Sequence, residues 1–187
     1  MSRVCGVDST NPTSYTDGEI TARMQNDEIE RYLRDFIPGF EHAWRDKVAA
    51  FMGIRESRVI KGKYVLTADD ILSCRKFEDA VGVASYPVDI HHSHGDDCTM
   101  MWCPDCYDLP YRMPVPEKEE NLHVAGRCAS LTPEAMTSAR VMPTCQVLRQ
   151  ADGRAAKIAV EEGVPVSKVN VEAVREDLRE NGAYLRD

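Results

Sequence analysis

The chain has 187 residues, 43% hydrophobic and 29% charged, with 31 acidic against 23 basic side chains and a net charge of −8. That length can bury one sizeable core with a subsidiary lobe. The acidic balance argues against nucleic acid or an anionic membrane as the main partner, because both demand a basic face. No apolar run approaches the roughly 20 residues of a membrane-spanning helix, and the start MSRVCGVDST lacks the apolar core of a signal peptide. A cytoplasmic protein with no membrane partner is therefore expected, and seven cysteines, an odd number, fit free thiols in a reducing compartment.

Residues 1–18 have a loop composition of Ser, Thr, Asn, Asp and Gly and are read as a flexible arm. Helical spacing then runs to Phe36, with Ile20, Met24, Ile29, Leu33 and Phe36 as inward positions and Pro38-Gly39 as the stop. A second helix is expected over 40–51. Residues 57–66, β-branched and aromatic around Gly62, predict two short strands or one bent strand. Thr67 followed by Asp70 marks the N-terminus of a helix over 68–77. Further on, a short apolar run at 122–125 ends in Gly126, and a long helical pattern follows after a polar connection, with Pro143 near its start. Residues 171–185 predict a terminal amphipathic helix with Val171, Val174 and Leu178 on one face and Asn181-Gly182 as its cap.

Two stretches carry a family resemblance. Residues 121–162 contain the pattern NLxVAGRxxS in Asn121, Leu122, Val124, Ala125, Gly126, Arg127 and Ser130, then RVMxTC in Arg140, Val141, Met142, Thr144 and Cys145. Upstream, Gly53, Arg55, Glu56, Ser57, Arg58, Ile60, Gly62, Tyr64, Leu66, Thr67 and Asp70 fit GxRESRxIxGxYxLTxxD, and Tyr86, Pro87, Asp89, Ile90 and His91 fit YPxDIH. Over roughly residues 50–185 the chain thus resembles the C-terminal portion of bacterial FAD-dependent oxidoreductases with the two-domain, glutathione-reductase-like flavoprotein fold. No G-x-G-x-x-G occurs in the sequence, so the first dinucleotide-binding half of that fold has no counterpart in these residues.

The resemblance implies an α/β or α+β chain with a flexible arm at 1–18, a substrate-side lobe at 19–115, and the returning strand and long helix of an FAD-binding domain at 116–187. It implies hydride transfer from a small organic substrate to FAD, with FAD bound once a partner supplies the N-terminal half. Gly126, Arg127, Met142, Pro143, Thr144 and Gln150 are the implied cofactor contacts, at a glycine turn and a helix N-terminus where backbone amides favour phosphate or an electron-rich ring. His91 is the candidate acid–base group, since an imidazole titrates near neutrality, and Tyr111 and Arg112 the candidates for orienting the substrate. Each of these three also has a plain structural reading, as a hydrogen-bonded core group or part of an amphipathic strand.

Cys98, Cys103 and Cys106 form C-x4-C-x2-C, with His91, His92 and His94 upstream. Such spacing can gather thiolates on a metal. A second CxxC pair is absent, so the expectation is thiols without metal. Arg149 and Asp152 stand where relatives carry small residues, and three-residue spacing on a helix suggests that they pair on a solvent-facing surface. The leading expectation is a C-terminal part or subunit of an FAD-dependent oxidoreductase. The alternatives are an inactive or regulatory fragment that binds a partner protein, and a small metal-binding protein built on the cysteine loop.

Overall fold

Asn11 starts the first helix, α1 (Pro12–Phe36), by accepting hydrogen bonds on its side chain from the amides of Thr13 and Ser14, with Pro12 inside the first turn. The computed structural model describes residues 3–91 and 98–186 and divides into two compact units, Met1–Ser57 and Arg58–Asp187. In the first unit the expected arm is therefore partly helix. The segment after α1 is not the expected second helix, because its backbone is engaged by side chains of α1. Arg34 Nε donates to the Ala43 carbonyl at 2.8 Å and Glu19 accepts from the Met52 amide at 2.7 Å. Groups bound in this way are not offered to an i−4 partner. Most apolar residues expected to face inward on α1 do not: Ile20, Met24 and Phe36 are 54%, 60% and 69% exposed, while Leu33 is half-buried.

In the second unit Thr67 caps α2 (Ala68–Leu72) through a reciprocal capping box with Asp70. The helix is shorter than its spacing predicts and ends before Cys74, whose φ of 53° is left-handed. Four strands follow: β1 (Ala80–Ala84), β2 (Val88–His91), β3 (Cys98–Met101) and β4 (Tyr107–Pro110). β1 pairs antiparallel with β4, with a register shift between Ala80 and Gly82, and β2 pairs antiparallel with β3, His91 opposite Cys98. The expected strand at 57–66 is only a set of bridges. Its residues turn alternately to two neighbours, Lys63 N to Val115 O at 2.8 Å but Ile60 N to Cys128 O at 2.9 Å, so no continuous ladder forms. The expected strand at 122–125 is likewise unladdered and holds to Pro114 O through Val124 N.

Three helices close the unit: α3 (Pro133–Ala139), α4 (Met142–Glu162) and α5 (Val171–Glu180). Thr132 caps α3, Gly163 ends α4 at φ 68°, and Asn170 caps α5. At Gly82 on β1 a Val147 methyl of α4 sits where a Cβ would lie. α4 serves two apolar clusters. Leu148 joins Leu66, Ile71, Tyr107, Leu109 and Met136 in one, and Ala151, Ala155, Ile158 and Ala159 join Val81, Val174 and Leu178 in the other. The architecture is mixed α/β, and no described helix is long and apolar enough to cross a membrane.

Buried charges fasten the loops. Arg186 Nε binds Asp108 at 2.7 Å while its other nitrogens donate to the carbonyls of Cys106, Cys74 and Arg75. Asp70 accepts from the Thr67 amide at 2.9 Å, the Tyr64 hydroxyl at 2.8 Å and Arg75 at 2.8 Å. Burial pushes the Asp70 carboxyl up, but these donors outweigh it and hold its pKa below the usual value. A depressed folded pKa gives stability that is full above the ordinary carboxylate range and is lost as pH falls through the folded value. Asp70→Asn should therefore cost about 1–3 kcal/mol in urea unfolding at pH 7, and the difference from the parent should shrink on acidification. A difference that grows toward low pH would contradict this.

Candidate functional site

α3 holds the segment that runs from Tyr86 into β2. The Thr137 hydroxyl accepts from the Asp89 amide at 3.0 Å, and the Ser138 hydroxyl donates to the Tyr86 carbonyl while meeting the buried Tyr107 hydroxyl at 2.8 Å. Burial raises Tyr107 to about 12, so it stays a neutral hydrogen-bonding group at ordinary pH. Held in this way, residues 83–87 face the start of α4 across a groove of about 450 Å³. Val83, Ala84, Tyr86, Pro87 and Val147 line it with Met100 of β3 and Trp102 just beyond that strand, and Val141, Pro143 and Thr144 bring the helix N-terminus to it. Trp102 is 70% exposed and Tyr86 39%, so the groove is an open aromatic and apolar surface.

The helix end in this groove has a distinct polarity. α1, α2, α3 and α5 each have a side-chain cap, from Asn11, Thr67, Thr132 and Asn170, whereas Val141 gives α4 none. Pro143 has no amide hydrogen. The first-turn amides of Met142 and Thr144 therefore carry the positive end of a 21-residue helix without a side-chain acceptor. An apolar slot with a positive end suits a flat ring that gains negative charge.

Of the residues singled out from sequence, Pro143 and Thr144 line the groove, Thr144 being buried, while Met142 is 79% exposed beside them. Gly126, at φ 86°, places its turn against α4: a Cβ there would lie 3.8 Å from Cys145 Sγ and from Arg149 Nε. Burial raises the Cys145 thiol pKa, and the positive charges of Arg127 and Arg149 oppose that rise. Arg127, in the loop after Gly126, and Arg149 of α4 thus both act on Cys145 near the start of that helix. Gln150 is exposed farther along the same helix.

The three catalytic candidates are not gathered together. His91 Nε2 lies 3.1 Å from Asp89 Oδ2 on β2. Asp89 is opposite Met100 in the ladder, so His91 projects from the same face as this groove residue. Tyr111 is a core residue; its hydroxyl donates to the Val166 carbonyl at 2.6 Å and burial drives its pKa up. Arg112 pairs with Asp79 at 3.0 Å and lies over the Tyr64 ring.

The cysteine loop does not converge as its spacing suggested. Cys98 is exposed on β3, whereas Cys103 is buried against Cys74. Among the described residues no group of three metal-ligating side chains has metal-holding geometry. His92 and His94 lie outside the described residues.

Arg149 and Asp152 also depart from expectation. Asp152 Oδ1 binds His123 Nδ1 at 3.0 Å, with side chains 12% and 7% exposed, and the His123 ring lies 4.8 Å from that of Tyr111. A buried imidazole offers a better partner than an arginine in water, whose pairing gains little. Arg149 stays exposed. Sequence inspection also missed Tyr86, Met100 and Trp102 as site residues. Tyr86 stood in the YPxDIH match, but only folding brings it to Trp102.

The model of the FAD dependent oxidoreductase family matches residues 2–178. No curated protein and no solved structure matches the chain.

The two charges of α4 should separate in mutagenesis. Asp152→Ala strands the His123 ring in a buried site and should cost about 1–3 kcal/mol, while Arg149→Gly should fall within about 1 kcal/mol, the helix propensity of glycine included. Chemical denaturation of both variants measures this. Equal effects would restore the Arg149–Asp152 pair.

Proposed function

Because the chain belongs to the FAD dependent oxidoreductase family, we propose that the groove at the start of α4 receives the flavin ring of FAD. The observation that carries this reading is the uncapped N-terminus of α4 opening into an apolar, aromatic groove. Flavin, when bound, supplies hydride acceptance from an organic substrate. Tyr86, Trp102 and Val147 exclude water from a planar ring, and the amides of Met142 and Thr144 favour negative charge at its edge. Gly126 and Arg127 offer a close backbone approach and a cation toward the polar parts of the cofactor, with Gln150 as a further donor. His91, oriented by Asp89, holds or accepts the substrate proton.

On this reading the protein is a C-terminal part or subunit of a bacterial, cytoplasmic enzyme with the glutathione-reductase-like two-domain fold. The pyrophosphate-binding half comes from a second polypeptide or from further chain, because no G-x-G-x-x-G occurs in the 187 residues. A partner-binding regulatory role is favoured instead by one observation, the exposed apolar side chains of α1.

Fluorescence titration with FAD separates these readings. The isolated chain should bind FAD weakly, and adding a recombinant dinucleotide-binding half should give a stoichiometric, quenched flavin. Trp102→Ala should then weaken flavin binding about tenfold, or about 1.4 kcal/mol, and relieve the quenching. A mixture that assembles without taking up FAD would favour the regulatory role, and unchanged affinity in the variant would remove the groove from the cofactor site.

A further inference from the structure

Cys74 and Cys103, separated by 29 positions in the chain, meet with their sulfurs 3.2 Å apart. Both converge on the end of α2: the Cys74 amide donates to the Ile71 carbonyl at 3.0 Å and the Cys103 thiol reaches the same carbonyl at 3.1 Å. The backbone on each side is pinned. Arg186 holds the Cys74 carbonyl at 3.1 Å and the Cys106 carbonyl at 2.7 Å, so one guanidinium ties together the two segments that carry the sulfurs. Cys74 is partly exposed and Cys103 is buried. A bonded pair has its sulfurs at about 2.05 Å, so a movement of roughly an ångström joins them.

We propose that Cys74 and Cys103 form a dithiol–disulfide redox site whose oxidants are small disulfides of the glutathione class. Cys74 is the entry thiol, because it is the more exposed residue of the two. As a thiolate it attacks one sulfur of the small disulfide, forming a mixed disulfide and releasing one small thiolate. Cys103 then gives up its proton and attacks the Cys74 sulfur, expelling the second small thiol. The net change converts two protein thiols and one small disulfide into one protein disulfide and two small thiols. Burial pushes Cys103 up to about 11, so in the reduced protein it is a protonated thiol. The bridge would tie the end of α2 to the residue that follows Trp102, and so to one wall of the groove. This redox chemistry does not depend on the flavin reading.

Peptide mapping of the full chain tests it. The reduced protein is equilibrated in mixtures of reduced and oxidised glutathione, trapped by acid and alkylation, and digested. The alkylatable thiols should fall by two from seven, and the peptides containing Cys74 and Cys103 should be recovered joined to each other. In Cys103→Ala, Cys74 should stop as the glutathione mixed disulfide. The unsubstituted chain decides the matter even where that variant fails to fold. Recovery of Cys74 and Cys103 both alkylated, while the exposed Cys5, Cys98 and Cys128 take up glutathione, would overturn the proposal. So would pairing of either residue with a different cysteine.

Discussion

The seating of α4 on β1 is the constraint on which the rest of the second unit depends. It requires that residue 82 have no side chain, because the Val147 methyl already occupies the position of a Cβ. Close approach at that point lets one 21-residue helix feed both apolar clusters, Leu148 in one and Ala151, Ala155 and Ala159 in the other. It also fixes where the helix begins. The groove exists because the strand that carries Gly82 continues into residues 83–87, opposite the first turn of the helix lying on it.

Polar pairs inside the molecule do for the loops what α4 does for the core. Arg186 spans Asp108 and three backbone carbonyls, Asp70 gathers Thr67, Tyr64 and Arg75, and Asp152 holds His123 beneath Tyr111. Each joins segments distant in sequence or closes a short helix. Losing the partner would leave Asp70, Asp108 or His123 buried without compensation, so these pairs act as positioning devices more than as sources of net stability. The groove wall is held by the same kind of contact, with Thr137 and Ser138 gripping the backbone at Asp89 and Tyr86.

What could be read from the sequence was local. Thr67 and Asp70 are three residues apart, and their capping box is set by that spacing; α4 and α5 are long enough for periodicity, and Asn181-Gly182 marks the end of α5. The seven-residue α3 is too short for a periodic signal, although Thr132-Pro133 was a start signal in plain view. Residues 57–66 have strand composition but divide their hydrogen bonds between two neighbours. The lining of the candidate groove was half legible. Pro143 and Thr144 came from a local motif, whereas Tyr86 and Trp102 reach the groove only through tertiary packing. The partner of Asp152 lay 29 residues away, and spacing on one helix pointed wrongly to Arg149.

The groove joins apolar walls to an uncapped helix end, and the family supplies a cofactor whose ring suits both. Photoaffinity labelling with an azidoflavin, on the chain supplied with a dinucleotide-binding half, asks directly where that ring lies. If the ring occupies the groove, adducts will map to residues 83–87, 100–102 or 141–147. Adducts confined to α1 or α5 would contradict it.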